Sequence, residues 1–573
     1  MTNFFTENAD LQFHLEHLDL EEVVDFLEDD YQQAKEYAYA PTDYQDAVEN
    51  YHKVLEMAGA IAGDFIAPRA ADVDRDGVLL KDGKVTYAQG TREALKHLSQ
   101  AELMGVMLPR KYGGLNFPVT IYTMAVELIS RADASLMNIY GLQDIAVIID
   151  RHGDDAQREA FLPILASGES TGAMVLTEPD AGSDLQAVKL QASEDDAGRW
   201  TLRGVKRFIT NGCGDVLLVL ARSEPGTKDA RGLSLFVCRG DETVTVRRIE
   251  NKLGIHGSPT CELQFNDTPA ELVGSRRFGL IRYVMDLMNG ARMGVAAQAL
   301  GISQAAYEEA HRYAGARRQF GQPIREIPVV ANMLIDMRVA LESNRALLYA
   351  TSKWVYVCDQ LNERVAKLKA EKQPFTEERA RAKEAAQIAA LLTPITKYFL
   401  TESANQITYD ALQIHGGAGY MKEFPIERLA RDARVTSIYE GTSQMQIVAA
   451  TGGVTKDVLA DYFTAHAAKQ YNGPLAELAA QLKEMREIFQ KSRAHTEEQN
   501  DQALAGVAAK GLVEMCGFLY VGYLLLDAAQ TEPSKLPIAR RYIPSALAKS
   551  RMHSEDILSD RFADLASAEE LLN

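Results

Sequence analysis

Residues 171 to 275 interrupt a chain that otherwise repeats its apolar positions at helical spacing, and that interruption limits the folds open to it. Within the interval, "GAMVLTE", "WTLRGVKRFITN", "VLLVLARS", "LSLFVCRG", "VTVRRIEN" and "CELQFND" are short β-branched or aromatic runs separated by Gly, Asp, Asn and Pro. They predict an antiparallel sheet unit inserted between helical parts. Upstream, residues 44–170 read as helices: "YQDAVENYHKVLEMAGAIAGDFIAP" stops at Pro68 and "TREALKHLSQAELMGVMLP" at Pro109. Downstream, the helical period returns over 276–450, beginning with "LIRYVMDLMNGARMGVAAQALGISQAAYEEAHRYA". Within it, the charged stretch 362–384 around Pro374 predicts a long exposed helical hairpin. Residues 451–573 add a further helical block, and residues 1–43 an acidic extension. The fold class is therefore mostly α with an inserted β domain, and 573 residues suffice for several domains.

The formal net charge is -19, and residues 1–50 alone hold fourteen Asp/Glu against one Lys. Such a surface repels nucleic acid and anionic lipid. An acidic arm of this kind is expected to be a solvated face or a partner contact, the solvated face first. Five widely spaced cysteines, with no CxxC and no His pair at metal-ligand spacing, predict reduced core thiols and no metal site. The first residues are acidic where a targeting peptide is basic. The longest apolar run, "CGFLYVGYLLL" (516–526), falls short of the roughly 20 residues that cross a bilayer. The expectation is a cytoplasmic protein without integral membrane association.

Several short stretches could carry chemistry. "LTEPDAGSDL" (176–185) leaves a strand for a Gly- and Asp-rich turn that exposes backbone N–H groups and the hydroxyls of Thr177 and Ser183. "KRFITNG" (206–212) ends another strand with an Asn-Gly turn, a hairpin signal when taken alone. "ARRQFGQPI" (315–323) closes a helix with a basic cluster, which suits a helix C-terminus. "QIHGGAGY" (413–420) has a Gly-rich step that lets backbone approach a phosphate, although it lacks the strand and spacing of a dinucleotide fingerprint. In "SIYEGTSQMQ" (437–446) Glu440 is the only group able to take up a proton at neutral pH. Each alone is an ordinary turn or helix end.

In order and spacing, "LTEPDAGSD", "FITNG", "NKLGIHGSPTCELQFND", "GARMGVAAQALG", "RRQFGQPI", "QIHGGAGY" and "IYEGTSQ" together resemble the acyl-CoA dehydrogenase family over residues 45–450. The resemblance implies an α-helical domain, a β domain and a second, four-helix-type α domain, here followed by a C-terminal helical appendix. It implies FAD as cofactor, an acyl-CoA thioester as substrate and electron-transfer flavoprotein as partner. By similarity Leu176 and Thr177 face the isoalloxazine ring, Ser183 touches both cofactor and the CoA portion, and Phe208 and Thr210 line the other side of the flavin. Phe208 stands where many members carry Trp. Arg317 and Phe320 resemble residues that reach the FAD of a neighbouring subunit, as do Gln413, Gly416 and Gly417; Thr442 and Gln444 resemble further FAD contacts. Pro328 replaces a usual Gln. A homo-oligomer is thus implied, and the appendix favours a dimer.

Glu440 corresponds to the family's catalytic base. The α-carbon of a thioester is a very weak acid, so removing its proton needs donors already placed for the enolate oxygen. In the family these are the backbone N–H of the base itself and a flavin ribityl hydroxyl. A carboxylate shielded from water is also a stronger base. The β-hydrogen then leaves as hydride to flavin N5, giving a trans-2-enoyl-CoA. Gly441 allows the chain to turn. Some relatives place the base immediately before the equivalent of Arg292; here that residue is Ala291. Arg292 is expected to hold the base or the CoA portion, and His415, beside Gly-Gly, to pack or hydrogen-bond.

Three other readings use the same fold: an acyl-CoA oxidase, against which "TEPDAGSD" speaks; an enoyl-CoA reductase, which uses the same residues; and a membrane-docked dehydrogenase, weakened by the acidic surface. Nucleic-acid-binding relatives carry a basic C-terminal region, whereas residues 451–573 are net acidic. The acyl group is left open. The charged insert and the appendix resemble members acting on short or unusual groups such as methylthiopropanoyl-CoA.

Overall fold

The computed structural model describes residues 2–499 and 502–559, and the remainder of the expected appendix lies outside these. The chain gathers into two compact units. The first comprises Met1–Glu309 with Ala411–Thr436, and the second Ala310–Asp410 with Ser437 onward. The division falls inside two helices, Met285–Ala316 and Thr376–His415.

In the first unit the acidic extension is not a free arm. Its helices Ala9–His17 and Glu21–Leu27 bury Leu11, Leu15, Val23 and Val24 and leave their acidic residues mostly outward. Phe5 is also buried, and Phe4 N–H donates to Gly59 O on the helix Tyr44–Ala60. A Cβ on Gly59 would lie 2.6 Å from Phe5 N, so only glycine admits this approach. A small hairpin, β1 (Leu79–Lys81) with β2 (Lys84–Thr86), was not foreseen.

Seven strands form the main sheet: β3 (Gly172–Val175), β4 (Gln191–Glu194), β5 (Trp200–Thr210), β6 (Val216–Arg222), β7 (Leu233–Arg239), β8 (Val244–Ile249) and β9 (Thr260–Val273). The pairings β4–β5–β9–β7–β6–β4 close a ring, with β8 added on β9. One expectation needs correcting: β3 runs parallel to β6, Gly172 opposite Val216 through Val175 opposite Val219. The Asn211–Gly212 turn is not a hairpin either. β5 hands over there to β6, with which it does not pair, while its own partners are β4 and β9. β6 is buried on both faces. Val216, Leu218 and Leu220 pack with Ile145, Ile149, Leu162 and Leu165 of the preceding helices; Leu217 and Val219 pack with Leu202, Phe236 and Phe265.

The second unit is helical apart from the short pair β10 (Arg318–Gln319) with β11 (Gln322–Pro323). The helices Pro328–Ala370 and Thr376–His415 are joined by a turn containing Pro374, and their exposed ends form the expected hairpin, with Arg364 3.8 Å from Glu378 across it. The helices Pro474–Gln499, Gln502–Thr531 and Leu536–Leu558 pack on one another and on Pro328–Ala370 and Ser443–Thr455. Residues 505–531 are long and apolar enough by composition to cross a bilayer, an apolar span longer than the sequence run suggested. Its most apolar stretch is 72% buried within the unit, as the core helix of a bundle.

Candidate active site

The end of β3 and the end of β5 come together in the first unit. Opposite Lys206 and Ile209 the partner strand supplies Leu263 and Cys261, so β5 holds one residue more than β9 here. This bulge turns Arg207 N–H away from the ladder to donate to Thr177 O at 3.0 Å. Phe208 sits at φ 61° and is half exposed. Thr177, Phe208 and, two residues on, half-buried Thr210 thereby share one end of the sheet.

The loop after Thr177 is closed by Glu178 and Ala181, whose backbones exchange two 3.1 Å hydrogen bonds. The Glu178 carboxylate accepts from the N–H groups of Lys189 and Leu190, both at 2.8 Å. From β5, Lys206 reaches it at 3.1 Å and donates to Leu176 O at 2.7 Å, with no exposed surface of its own. Burial pulls the Lys206 ammonium down to about 8. Pinned at its base, the loop leaves Gly182 and Ser183 exposed, with open space around Gly182. Leu176 is 4% exposed, within the core, and its carbonyl accepts from Lys206, which ties the start of the loop to β5.

Elsewhere in this unit, Arg292 lies on the helix Met285–Ala316, and its Nη1 donates to Asn289 Oδ1 at 3.3 Å. Gln413, Gly416 and Gly417 are exposed where Thr376–His415 ends, with Gly416 at φ 60° and nothing within 4 Å of a Cβ at either glycine. His415 is buried, and its Nδ1 lies 2.7 Å from Ala411 O, a packed and hydrogen-bonded ring.

In the second unit, Glu440 occupies the turn before the helix Ser443–Thr455. It and Gly441 are consecutive left-handed residues, at φ 54° and φ 89°. Lys397, fully buried on Thr376–His415, donates to Tyr439 O at 2.9 Å and to Gly441 O at 2.6 Å. Gln446, equally buried, donates to Glu440 O at 3.2 Å and to Gly441 O at 2.9 Å. The Thr442 hydroxyl caps the helix by accepting from Met445 N–H, and Ser443 Oγ donates to Glu402. Glu440 itself is half-buried and Gln444 exposed. Arg317 directly follows the helix Met285–Ala316, and Phe320 projects from the turn between β10 and β11 at φ 51° with 92% of its surface exposed. Among the described residues no cluster of three or more His, Cys, Asp or Glu could hold a metal.

Sequence reasoning missed Lys206, Lys397 and Gln446. A lysine inside the apolar run "LLTPITKYFL" was the available signal, since burial there requires acceptors.

Comparison with known proteins bears on this arrangement. Family models described as the N-terminal, middle and C-terminal domains of acyl-CoA dehydrogenase match residues 49–169, 173–268, and 281–372 with 355–451. A fourth, "Acyl-CoA dehydrogenase C terminal", matches 455–559. The chain is 33% identical over 521 residues to 3-methylmercaptopropionyl-CoA dehydrogenase of Ruegeria pomeroyi, covering 85% of this chain and 84% of that protein. It is 34% identical over 414 residues to acryloyl-CoA reductase (NADH) of Anaerotignum propionicum, covering 70% and 94%. An acyl-CoA dehydrogenase from Bacillus anthracis, solved with FAD, shares its fold over 91% of this chain and 90% of that one, with a TM-score of 0.75 at 22% identity.

Proposed function

The chain belongs to the acyl-CoA dehydrogenase family, and on that premise we propose that it removes the α- and β-hydrogens of an acyl-CoA thioester with Glu440 as the base. The observation that carries this reading is the Glu440 turn: a carboxylate at a left-handed position, its flanking carbonyls held by two buried side chains. A base of this kind must be fixed before the substrate arrives.

The residues of the first unit suit FAD by their chemistry. Thr177, Ser183 and Thr210 offer hydroxyls, Phe208 an open aromatic face, and Gly182, Gly416 and Gly417 backbone that a phosphate or ring can approach. When bound, the flavin supplies a two-electron acceptor for the β-hydrogen. The rest falls to the chain. Glu440 takes the α-proton on its carboxylate, its backbone N–H donates to the thioester oxygen as charge develops, and Gly441 admits the turn that allows both. Arg292 is assigned to the CoA portion. Phe320, an aromatic left almost wholly exposed at a turn, together with Arg317 supports a homodimer in which each copy completes the other's cofactor site.

The substrate we assign is a short acyl-CoA, with 3-methylthiopropanoyl-CoA first among candidates, in keeping with the Ruegeria pomeroyi relative. Electrons pass to electron-transfer flavoprotein. The second reading, reduction of a short enoyl-CoA, is favoured by the Anaerotignum propionicum relative and needs the same residues. An anaerobic absorbance titration with acyl-CoAs from propanoyl to palmitoyl, including branched and methylthio members, separates them. Bleaching of the flavin band by a short thioester, lost in Glu440→Gln, is the expected result. A yellow protein that only NADH bleaches, and that enoyl-CoA then reoxidises, would favour the reductase.

A further inference from the structure

We infer that Lys397 is a positioning residue that orients and polarises the peptide group carrying the Glu440 N–H. The inference rests on the reading of Glu440 as base.

Tyr439 C=O and Glu440 N–H are the two ends of one planar peptide group and point in opposite directions. Holding the oxygen therefore aims the N–H. Lys397 Nζ holds that oxygen at 2.9 Å, from a side chain with no exposed surface, at the middle of a helix. An ammonium at the carbonyl also draws electron density toward the oxygen, which makes the N–H at the other end a stronger donor. The second bond of Lys397, 2.6 Å to Gly441 O, fixes the far side of the turn.

Gln446 provides the contrast. It donates to Glu440 O and Gly441 O, which belong to the two following peptide groups, and so it steadies the turn without touching the peptide that bears the Glu440 N–H. A role confined to holding the turn would be shared by both residues. A role in presenting the donor belongs to Lys397.

The test uses the FAD-loaded full chain and a 3-thiaacyl-CoA matched to the best substrate of the titration, 3-thiabutyryl-CoA for a four-carbon preference, labelled with carbon-13 at the carbonyl. Sulfur at the β-position leaves no hydrogen there to transfer, so only the α-proton step remains open. The Raman frequency of the bound carbonyl reports the donor without turnover, and exchange of the α-protons with D2O reports the proton step. In Lys397→Met the carbonyl should move toward its free-solution frequency and exchange should slow by about 10–100-fold, with the ligand Kd changed less than about threefold. Lys397→Arg, which keeps but displaces the cation, should be intermediate in both. Gln446→Met should keep the wild-type frequency even where it lowers the unfolding temperature. Wild-type frequency and exchange in the two Lys397 variants overturn the inference, as does an equal shift in Gln446→Met. Exchange that persists in Glu440→Gln instead removes the base reading beneath it, so the two failures are told apart.

Discussion

Arg110 and Glu28 form a bidentate ion pair, 2.6 and 2.9 Å between Nη1, Nη2 and the carboxylate oxygens, with 1% of either side chain exposed. Gln33 accepts a further bond from Arg110 at 2.9 Å. A buried charge stripped of its partner is costly, so Glu28→Gln should lose about 3–5 kcal/mol in urea unfolding. The double variant Glu28→Leu with Arg110→Met should recover most of that, because the apolar pair needs no compensation. In the single variant the acidic extension should also become sensitive to protease near Asp29, Asp30 and Tyr31, three consecutive left-handed residues.

Lys206 is the corresponding link beneath the loop that carries Thr177 and Ser183. Lys206→Met leaves Glu178 buried without its ammonium, a loss of about 3–5 kcal/mol by the same argument. The flavin-to-protein absorbance ratio after gel filtration should fall with it, since Leu176 O and the loop base are released together. A variant that keeps a full complement of flavin would show that the loop does not depend on this anchor.

Gly441 lies at φ 89°, and a Cβ placed there would meet Gln446 Nε2 at 2.7 Å. Gly441→Ala should therefore cost about 1–3 kcal/mol in thermal unfolding. Turnover should drop more than flavin content, because the turn that holds the base is displaced while Thr177, Ser183, Phe208 and Thr210 of the first unit are untouched. Measuring both on one preparation checks the split.

Asp432 carries the pH prediction. Burial lifts its carboxyl to about 6, opposed by the hydrogen bond it accepts from Ile255 N–H at 2.5 Å. The folded state thus keeps a proton that the unfolded chain releases near its ordinary value of 3.8. The stabilising contribution is complete below about pH 4 and is lost as pH rises through about 6. Asp432→Asn keeps an acceptor for Ile255 and removes the titration. Its stability relative to wild type should climb between pH 4 and pH 7 by about 3 kcal/mol at most. Urea midpoints at pH 4.5, 5.5 and 7 are the measurement, and a flat difference would contradict it.

The long helices were legible because their apolar period repeats over enough residues, and the six quoted strand runs because they are β-branched or aromatic and bounded by turn residues. β4 was not: Gln191–Glu194 is mostly exposed and has no alternation to read. The parallel pairing of β3 with β6 was equally hidden, since strand direction is settled by partners distant in sequence. The hairpin at residues 79–86 was readable and overlooked, for Asp82-Gly83 supplies the two left-handed residues such a turn requires. The acidic extension was legible as a solvated face, with its acidic residues mostly outward, but its packed side was not read: Phe5, Leu11, Leu15, Val23 and Val24 are buried. At the candidate site, motif order pointed to Glu440, Thr177 and Ser183. The partners of Lys397 and Lys206 were not legible, because Tyr439 O, Gly441 O and Leu176 O are backbone oxygens, which no side-chain pattern records.

The apolar helix 505–531 has a consequence for how this chain is made. It leaves the ribosome ahead of Leu536–Leu558, one of the helices that cover it. At about 5–20 residues per second, synthesis of that cover takes a few seconds. During that interval the nascent chain presents a segment long and apolar enough to cross a bilayer, so the last helix closes over a surface that is otherwise open to membranes and to other copies.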